Sequence, residues 1–224
     1  PDVYTDSFLA AEGIRKNTGG RILAKSRFED LGGPYDIVFL RVPKNLSFFE
    51  DTLAKLGPKL APGARLIAGY RVKYQASGAF DLIAKYFGDT TTSLAKKKAR
   101  LIFAEFSRAP VPSPYPRAVA IPGFKTPFVN HSNVFSRERL DIGTRFFLEH
   151  LPSGEFGTIV DLGCGNGIVG IAAKLRVPRA KIIFTDESRM AIESATANFR
   201  NNFPDAMDDA RFEWTNGYSE APPE

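Results

Sequence analysis

One cysteine, two histidines and one tryptophan in 224 residues leave several chemistries without material. A lone Cys164 permits no internal disulfide, so a disulfide scaffold is excluded. With His131 and His150 it supplies no Cys/His set of zinc-ligand spacing, and no metal is expected. No apolar run approaches the roughly 18 residues that a membrane-spanning helix needs. The opening Pro1-Asp2-Val3 is neither a signal peptide nor an initiator methionine, so the chain is expected to start inside its gene product. These absences together point to a reducing, cytoplasmic setting with no membrane partner. What is present is ordinary for a folded protein. The chain is 43% hydrophobic and 25% charged, which excludes disorder and collagen-like structure and leaves one large domain or two small ones.

The formal charge is +5 with an isoelectric point near 9.3, a balance that suits a polyanionic partner and also plain solubility. The 30 Lys and Arg residues are dispersed apart from one dense patch, Lys96, Lys97, Lys98 and Arg100, directly before the apolar Leu101–Phe103. That patch reads either as a solvated end of a helix or strand or as a nucleic-acid contact.

Six prolines between positions 109 and 127 divide the chain, because proline suppresses helix and interior strand. On both sides apolar runs alternate with helix-like segments, the signature of α/β folding around a mainly parallel sheet. In the first half, 36–42 (DIVFLRV) reads as a strand buried on both faces, 46–60 as a helix, 65–70 as a strand, 78–87 as a helix and 98–106 as a strand. In the second, 136–151 reads as a helix, 158–162 as a strand, 167–175 as a helix, 181–186 as a strand, 190–201 as a helix and 212–215 as a short strand. A faint repeat links the halves: Val3-Tyr4-Thr5-Asp6-Ser7 and Ile183-Phe184-Thr185-Asp186-Glu187 each read as a strand leading into a helix that ends on asparagine.

The chemistry is concentrated in 158–170, TIVDLGCGNGIVG. An apolar strand runs into Asp161, glycines follow at 163, 165 and 167, and a helix begins. Glycines there allow positive φ and close approach of a ligand, and the helix start presents free N–H groups. A G-x-G-x-G loop alone also fits dinucleotide binding. Asp161 argues otherwise, because a carboxylate before the first glycine would oppose a pyrophosphate and welcome a cation. Asp186 ends the next strand, where a carboxylate can accept from ribose hydroxyls. A cationic, ribose-bearing, phosphate-free ligand describes S-adenosylmethionine (SAM).

Asp161-Leu-Gly-Cys-Gly-Asn-Gly167 resembles the first motif of class I SAM-dependent methyltransferases. Asn133-Val-Phe-Ser-Arg, Leu140-Asp-Ile-Gly143 and Asp186-Glu-Ser188 are together similar to the bacterial rRNA guanine-N2 methyltransferases of the RlmG/RsmC type, the 23S rRNA branch above all. Arg41-Val-Pro-Lys44 and the stretch 90–100 extend the resemblance over nearly the whole chain. It implies tandem Rossmann-like methyltransferase domains, the N-terminal one degenerate and both incomplete in this chain. The expected boundaries are a partial, RNA-recognising domain over 1–117, a proline-rich linker or hairpin over 118–130, and the first three strands of a SAM-binding domain over 131–224. The cofactor-binding residues implied are Asp161, Gly163, Cys164, Gly165, Asn166 and Gly167 for the methionine part, Asp186 for the ribose and Asn216 near the adenine. The implied partner is protein-depleted 23S rRNA, bound by a monomer. The family's catalytic Asn-Pro-Pro-Phe has no counterpart here: the only Pro-Pro is Pro222-Pro223, with no strand before it. Catalytic residues are therefore expected beyond Glu224.

Cys164 is expected to fill the turn, since methylation of an exocyclic amine needs no covalent enzyme intermediate. His131 and His150 are expected to be structural or solvated. Phe135 reads either as a stacking platform for an extruded base or as ordinary core. Three other readings share these residues: a SAM enzyme for a protein or small molecule, one circularly permuted domain with a continuous sheet from both halves, and a catalytically silent RNA-binding module.

Overall fold

A computed structural model describes residues 1–74, 78–135 and 140–217. The chain divides into two compact units, Arg27–Pro114 and the pair Val3–Ser26 with Tyr115–Glu224. The elements run α1 (Phe8–Asn17), β1 (Tyr35–Arg41), α2 (Leu46–Leu56), β2 (Leu60–Arg71), α3 (Gly78–Tyr86), β3 (Thr90–Thr92) and β4 (Ala99–Glu105), then β5 (Arg117–Val119), β6 (Phe128–Asn130), α4 (Ile142–Glu149), β7 (Thr158–Leu162), α5 (Ile168–Arg176), β8 (Lys181–Asp186), α6 (Arg189–Asn202) and β9 (Ala210–Trp214). Among the described residues no helix is long and apolar enough to cross a membrane.

The Arg27–Pro114 unit is built on a mixed sheet in the order β1-β2-β4-β3. Only β1 and β2 are parallel; β4 runs antiparallel to both of its neighbours. The alternation of strand and helix suggested a mainly parallel sheet, and the antiparallel half arises because β3 returns directly into β4 with no crossover helix. Asn45 starts α2 by accepting the N–H groups of Ser47 and Phe48, replacing donors that the first turn leaves unpaired. Phe49 and Leu53 of α2 and Ile83 of α3 then pack against Leu66, Ala68 and Ile102 on one face of the sheet. The other face is open. Phe39 of β1, in register with Ile67 of β2 and Phe103 of β4, is 74% exposed, so residues 36–42 are buried on one side where both were expected.

The turn before β4 is unusual in composition. Lys96 and Ala99 exchange backbone hydrogen bonds of 2.9 and 3.0 Å around Lys97 and Lys98, whose φ angles are 49° and 61°. A two-residue turn with both centres left-handed favours Asn-Gly, and two lysines hold it at some cost. The basic patch is thus the tip of a hairpin.

In the second unit, β7-β8-β9 form a parallel sheet. This sheet and the β1–β4 sheet are separate among the described residues, which rules out the permuted single domain with one continuous sheet. Strands 158–162 and 181–186 lie where the sequence places them, and the third extends further forward than expected, to Ala210. Of the helix expected over 136–151, the structure describes Ile142–Glu149, capped by Asp141; 136–139 lie outside the described residues. The core layers Ile171, Phe184 and Phe199, with the Phe184 and Phe212 rings stacked 5.0 Å apart and 5° from coplanar.

Two features bear on the expected boundaries. The proline-rich region does contain a hairpin, β5 against β6. It docks by a polar stripe on α6: Asn198 exchanges two hydrogen bonds with the Val129 backbone, and Ser194 accepts the His131 N–H. The other is that Val3–Ser26 packs with the second unit, where residues 1–117 were expected to form one domain. The physical reason is Asp6, buried and bonded to Ser188, Met190 and Asn133. The repeat is accordingly half realised: α1 forms as its counterpart α6 does, but Tyr4 makes only a single bridge, to Lys25, where its counterpart Phe184 lies inside β8.

Gly170 faces the stacked aromatic layer, and a Cβ there would lie 2.3 Å from Phe184 Cε1 and 3.0 Å from Ile182 Cγ2. The Phe184 ring is pinned against Phe212 and cannot retreat. Gly170→Ala is expected to destabilise the unit by about 1–3 kcal/mol despite its better helix propensity, a loss that denaturant unfolding would register.

Candidate cofactor site

The site grows from two adjacent strand ends. β7 and β8 are parallel and in register, Asp161 beside Phe184 and Leu162 beside Thr185, so their C-terminal ends open on the same side. In open parallel sheets that is where ligands sit. The chain leaves β7 in a tight loop whose Gly163 and Cys164 N–H groups both donate to the Thr185 carbonyl, at 2.9 and 3.0 Å. Gly163 and Gly165 have φ of 71° and 55°, and a Cβ on either would meet no atom within 4 Å. Those two glycines are therefore needed for backbone conformation and leave open space over the loop. Gly167 also has positive φ, but a Cβ there would meet Ala195 at 3.0 Å, so it serves packing as well.

Asp186 fastens the loop to β8. Its Oδ2 accepts the Gly165 N–H at 3.0 Å and its Oδ1 the Ser188 N–H at 2.8 Å. Asp161 is buried, and its Oδ2 accepts the Gly170 N–H at 2.8 Å, capping α5, which begins at Gly167 with no side-chain cap of its own. This second task for Asp161 is invisible in the sequence. Among the described residues Asp161 has no further hydrogen-bond partner. Burial, opposed by the Gly170 bond, and then repulsion from Asp186, raise its carboxyl pKa to about 6. Two carboxylates with one of them desolvated make a site that a cation would relieve.

Asn166 is buried; its side chain bonds Asn130 at 3.0 Å and accepts the Ile168 N–H, while Asn198 donates to its carbonyl. It thus shapes the loop from below, through a buried Asn130–Asn166–Asn198 network that sequence reasoning missed. The signal available was the i, i+4 spacing of Ser194 and Asn198 on the buried side of an otherwise apolar helix face. Cys164 is buried, and burial raises its thiol pKa well above the ordinary range, which keeps it neutral. Asn216 is exposed, and the Thr215 N–H donates to the Asp186 carbonyl at 3.1 Å, bringing the end of β9 beside the end of β8. Phe135 is 77% exposed and borders the cleft with Leu140 and Val169, so it is not core. His131 Nδ1 meets Ser194 Oγ at 2.8 Å, and His150 Nδ1 meets the Phe146 carbonyl at 2.7 Å; both are local structural contacts.

SAM fits this donor set: open space over Gly163 and Gly165, a desolvated carboxylate lining the cleft, and a second carboxylate at the next strand end. A methyltransferase small domain model matches residues 125–224, and an RLMG N-terminal domain model matches residues 1–108. Curated relatives extend the match across both. Ribosomal RNA large subunit methyltransferase G of Pseudomonas savastanoi pv. phaseolicola is 45% identical over 205 residues, 88% of this chain and 54% of that protein. The protein of that name from Pseudomonas fluorescens is 46% identical over 204 residues, 87% of this chain and 54% of its own length. The chain thus carries these two domain matches in tandem and is similar along most of its length to proteins named ribosomal RNA large subunit methyltransferase G. It spans about half the length of the curated relatives it matches. The solved T. Thermophilus 16S rRNA N2 methyltransferase RsmC, in complex with AdoMet and guanosine, superposes on 99% of the chain and 61% of its own with a TM-score of 0.79. At 19% identity that likeness establishes the fold, tandem α/β with a methyltransferase-like second half.

A cationic ligand that needs ionised Asp161 is expected to bind more tightly as pH rises through about 6. SAM affinity should be about tenfold weaker at about pH 5 than at about pH 7, then level. Asp161→Asn should bind weakly with a flat pH profile. Calorimetric titration across that range checks both, and a flat wild-type profile would count against Asp161 as the cation's partner.

Proposed function

We propose that this chain is part of a cytoplasmic, SAM-dependent enzyme that methylates the exocyclic N2 of a guanosine in 23S rRNA. The observation that carries the cofactor half is the β7–α5 loop, held between Asp161 and Asp186 with open space over Gly163 and Gly165. The names of the relatives support ribosomal RNA of the large subunit as substrate, and the guanosine and AdoMet in the RsmC complex support guanine N2 as the acceptor and SAM as the donor.

When bound, SAM supplies a methyl group on a sulfonium centre. Asp161 would face the cationic methionine part, the 163–167 loop would cradle it, Asp186 would accept from the ribose hydroxyls and Asn216 would border the adenine. Guanine N2 is a poor nucleophile because its lone pair is delocalised into the ring, so the enzyme's contribution is orientation. The target base must leave its stack to be reached, and the exposed Phe135 ring at the mouth of the cleft offers an aromatic face for it. Cys164, buried and neutral, takes no part as a nucleophile.

The first domain carries RNA recognition in this reading. The C-terminal ends of β1 and β2 and the start of β4 share one edge of the sheet, and that edge holds Arg41, Lys44, Arg71, Lys73 and the Lys96–Lys98 tip. No acidic residue falls in 41–46, 69–74 or 93–102. Such an edge suits phosphates, and the strain at Lys97 and Lys98 is explained if charge is wanted at that turn.

Two measurements test the proposal. The full-length protein should transfer radiolabelled methyl from SAM to protein-depleted 23S rRNA as N2-methylguanosine, and Asp186→Ala should lower that activity at limiting SAM. Binding of SAM without methylation of any rRNA would overturn the substrate. Replacing Lys97 and Lys98 by Asn and Gly should leave stability equal or higher, because those residues suit the turn, while the salt dependence of RNA binding falls by about 1.4 in log–log slope. An unchanged slope would remove the tip from the RNA interface.

A further inference from the structure

The N-terminal segment belongs to the part of the chain matched by the RLMG N-terminal domain, yet it packs beside the candidate cofactor site. The N-termini of α1 and α6 meet there end to end. Ser7 and Ser188 are their N-caps and form an antiparallel bridge. The backbone bonds across it are reciprocal: the Phe8 N–H donates to the Glu187 carbonyl and the Arg189 N–H to the Asp6 carbonyl, each at 2.9 Å. Two helix N-termini in opposition bring like partial charges together, and an anion between them is stabilising.

Asp6 is that anion, and it is buried. Its Oδ1 accepts the Met190 N–H at 2.7 Å, a donor in the first turn of α6 that Ser188 leaves uncapped. Its Oδ2 accepts from Ser188 Oγ at 2.5 Å and from Asn133 Nδ2 at 2.8 Å. The Asp6 carbonyl, with that of Glu187, also receives the indole N–H of Trp214, at 3.2 and 2.9 Å. Asp6 therefore grips Ser188 and Trp214 together. Ser188 donates its N–H to Asp186, Asp186 accepts from Gly165, and Trp214 is followed by Thr215, bonded to the Asp186 carbonyl.

We infer that Asp6 is a positioning residue for the cofactor site, holding the Asp186–Ser188 turn and the β9 end in the arrangement that receives the nucleoside part of SAM. This rests on the reading that Asp186 and Asn216 hold that part. Asp6 touches no reacting atom; it acts through Ser188 and Trp214. A segment from the half of the chain without a glycine loop thereby completes the site in the half that has one.

The test uses the full-length protein and two variants at the same junction. Asp6→Asn presents an NH2 group to the donors that the carboxylate now satisfies, so it should weaken SAM binding about tenfold by calorimetry, raise the KM for SAM and leave kcat at saturating SAM close to wild type. Ser7→Ala removes the cap on α1, a bond to Ala10, and the side-chain contact to Glu187, but leaves the Asp6–Ser188–Asp186 chain intact. It should lower the unfolding temperature while SAM affinity stays within about twofold. Wild-type SAM affinity in Asp6→Asn, or SAM affinities that fall in step with unfolding temperature in both variants, would overturn the inference. A wild-type protein that binds no SAM would overturn the cofactor reading itself, and this inference with it.

Discussion

The Asp186 carboxylate accepts one N–H from the glycine loop and one from the turn that starts α6, and the rest of the site is arranged around those two bonds. A glycine-rich loop has high conformational entropy, and Gly163 and Gly165, with no atom near their missing Cβ positions, have no packing of their own to fix them. The hydrogen bonds to Thr185 and Asp186 supply that order from the neighbouring strand. The same carboxylate ties the loop to the N-terminus of α6, so loop, strand and helix are placed by a single side chain. Its two oxygens can each accept a further hydrogen bond, and this is why a structural tie can also serve as a ligand contact.

Burial makes the electrostatics of the pair consequential. Asp161 sits in the core side of the loop, where desolvation and Asp186 both disfavour its ionised form, while the Gly170 amide favours it. An isolated buried carboxylate of this kind is costly, and a cationic ligand offsets the cost. The site is thus poised for positive charge by the same packing that forms the turn.

Much of this architecture was legible in the residues. The strands at 158–162 and 181–186, the glycine loop and the carboxylate at each strand end follow from period, composition and spacing, because they rest on local rules: apolar runs for a parallel strand, glycine for positive φ, a polar cap for a helix start. The first unit is less legible. DIVFLRV looked buried on both sides, yet α2 and α3 cover only one face and Phe39 lies on the other. The antiparallel course of β4 depends on a Lys97-Lys98 turn that violates the usual turn chemistry. Asn166 and Asn198 read as ordinary polar positions, and only their meeting with Asn130 across the fold turns them into a buried network.

Contiguous segments carry the α/β class and the glycine loop between its two strand-end carboxylates, because each follows from local rules. The tertiary structure decided which segments meet. Asp6 stands 180 positions before Asp186, and nothing in a linear pattern records that it caps α6 or supports Trp214. Nor does spacing show that Asp161, which lines the cleft, also caps α5 through the Gly170 amide. These pairings are set by how the helix ends and strand ends pack, and buried polar groups must find partners wherever packing puts them.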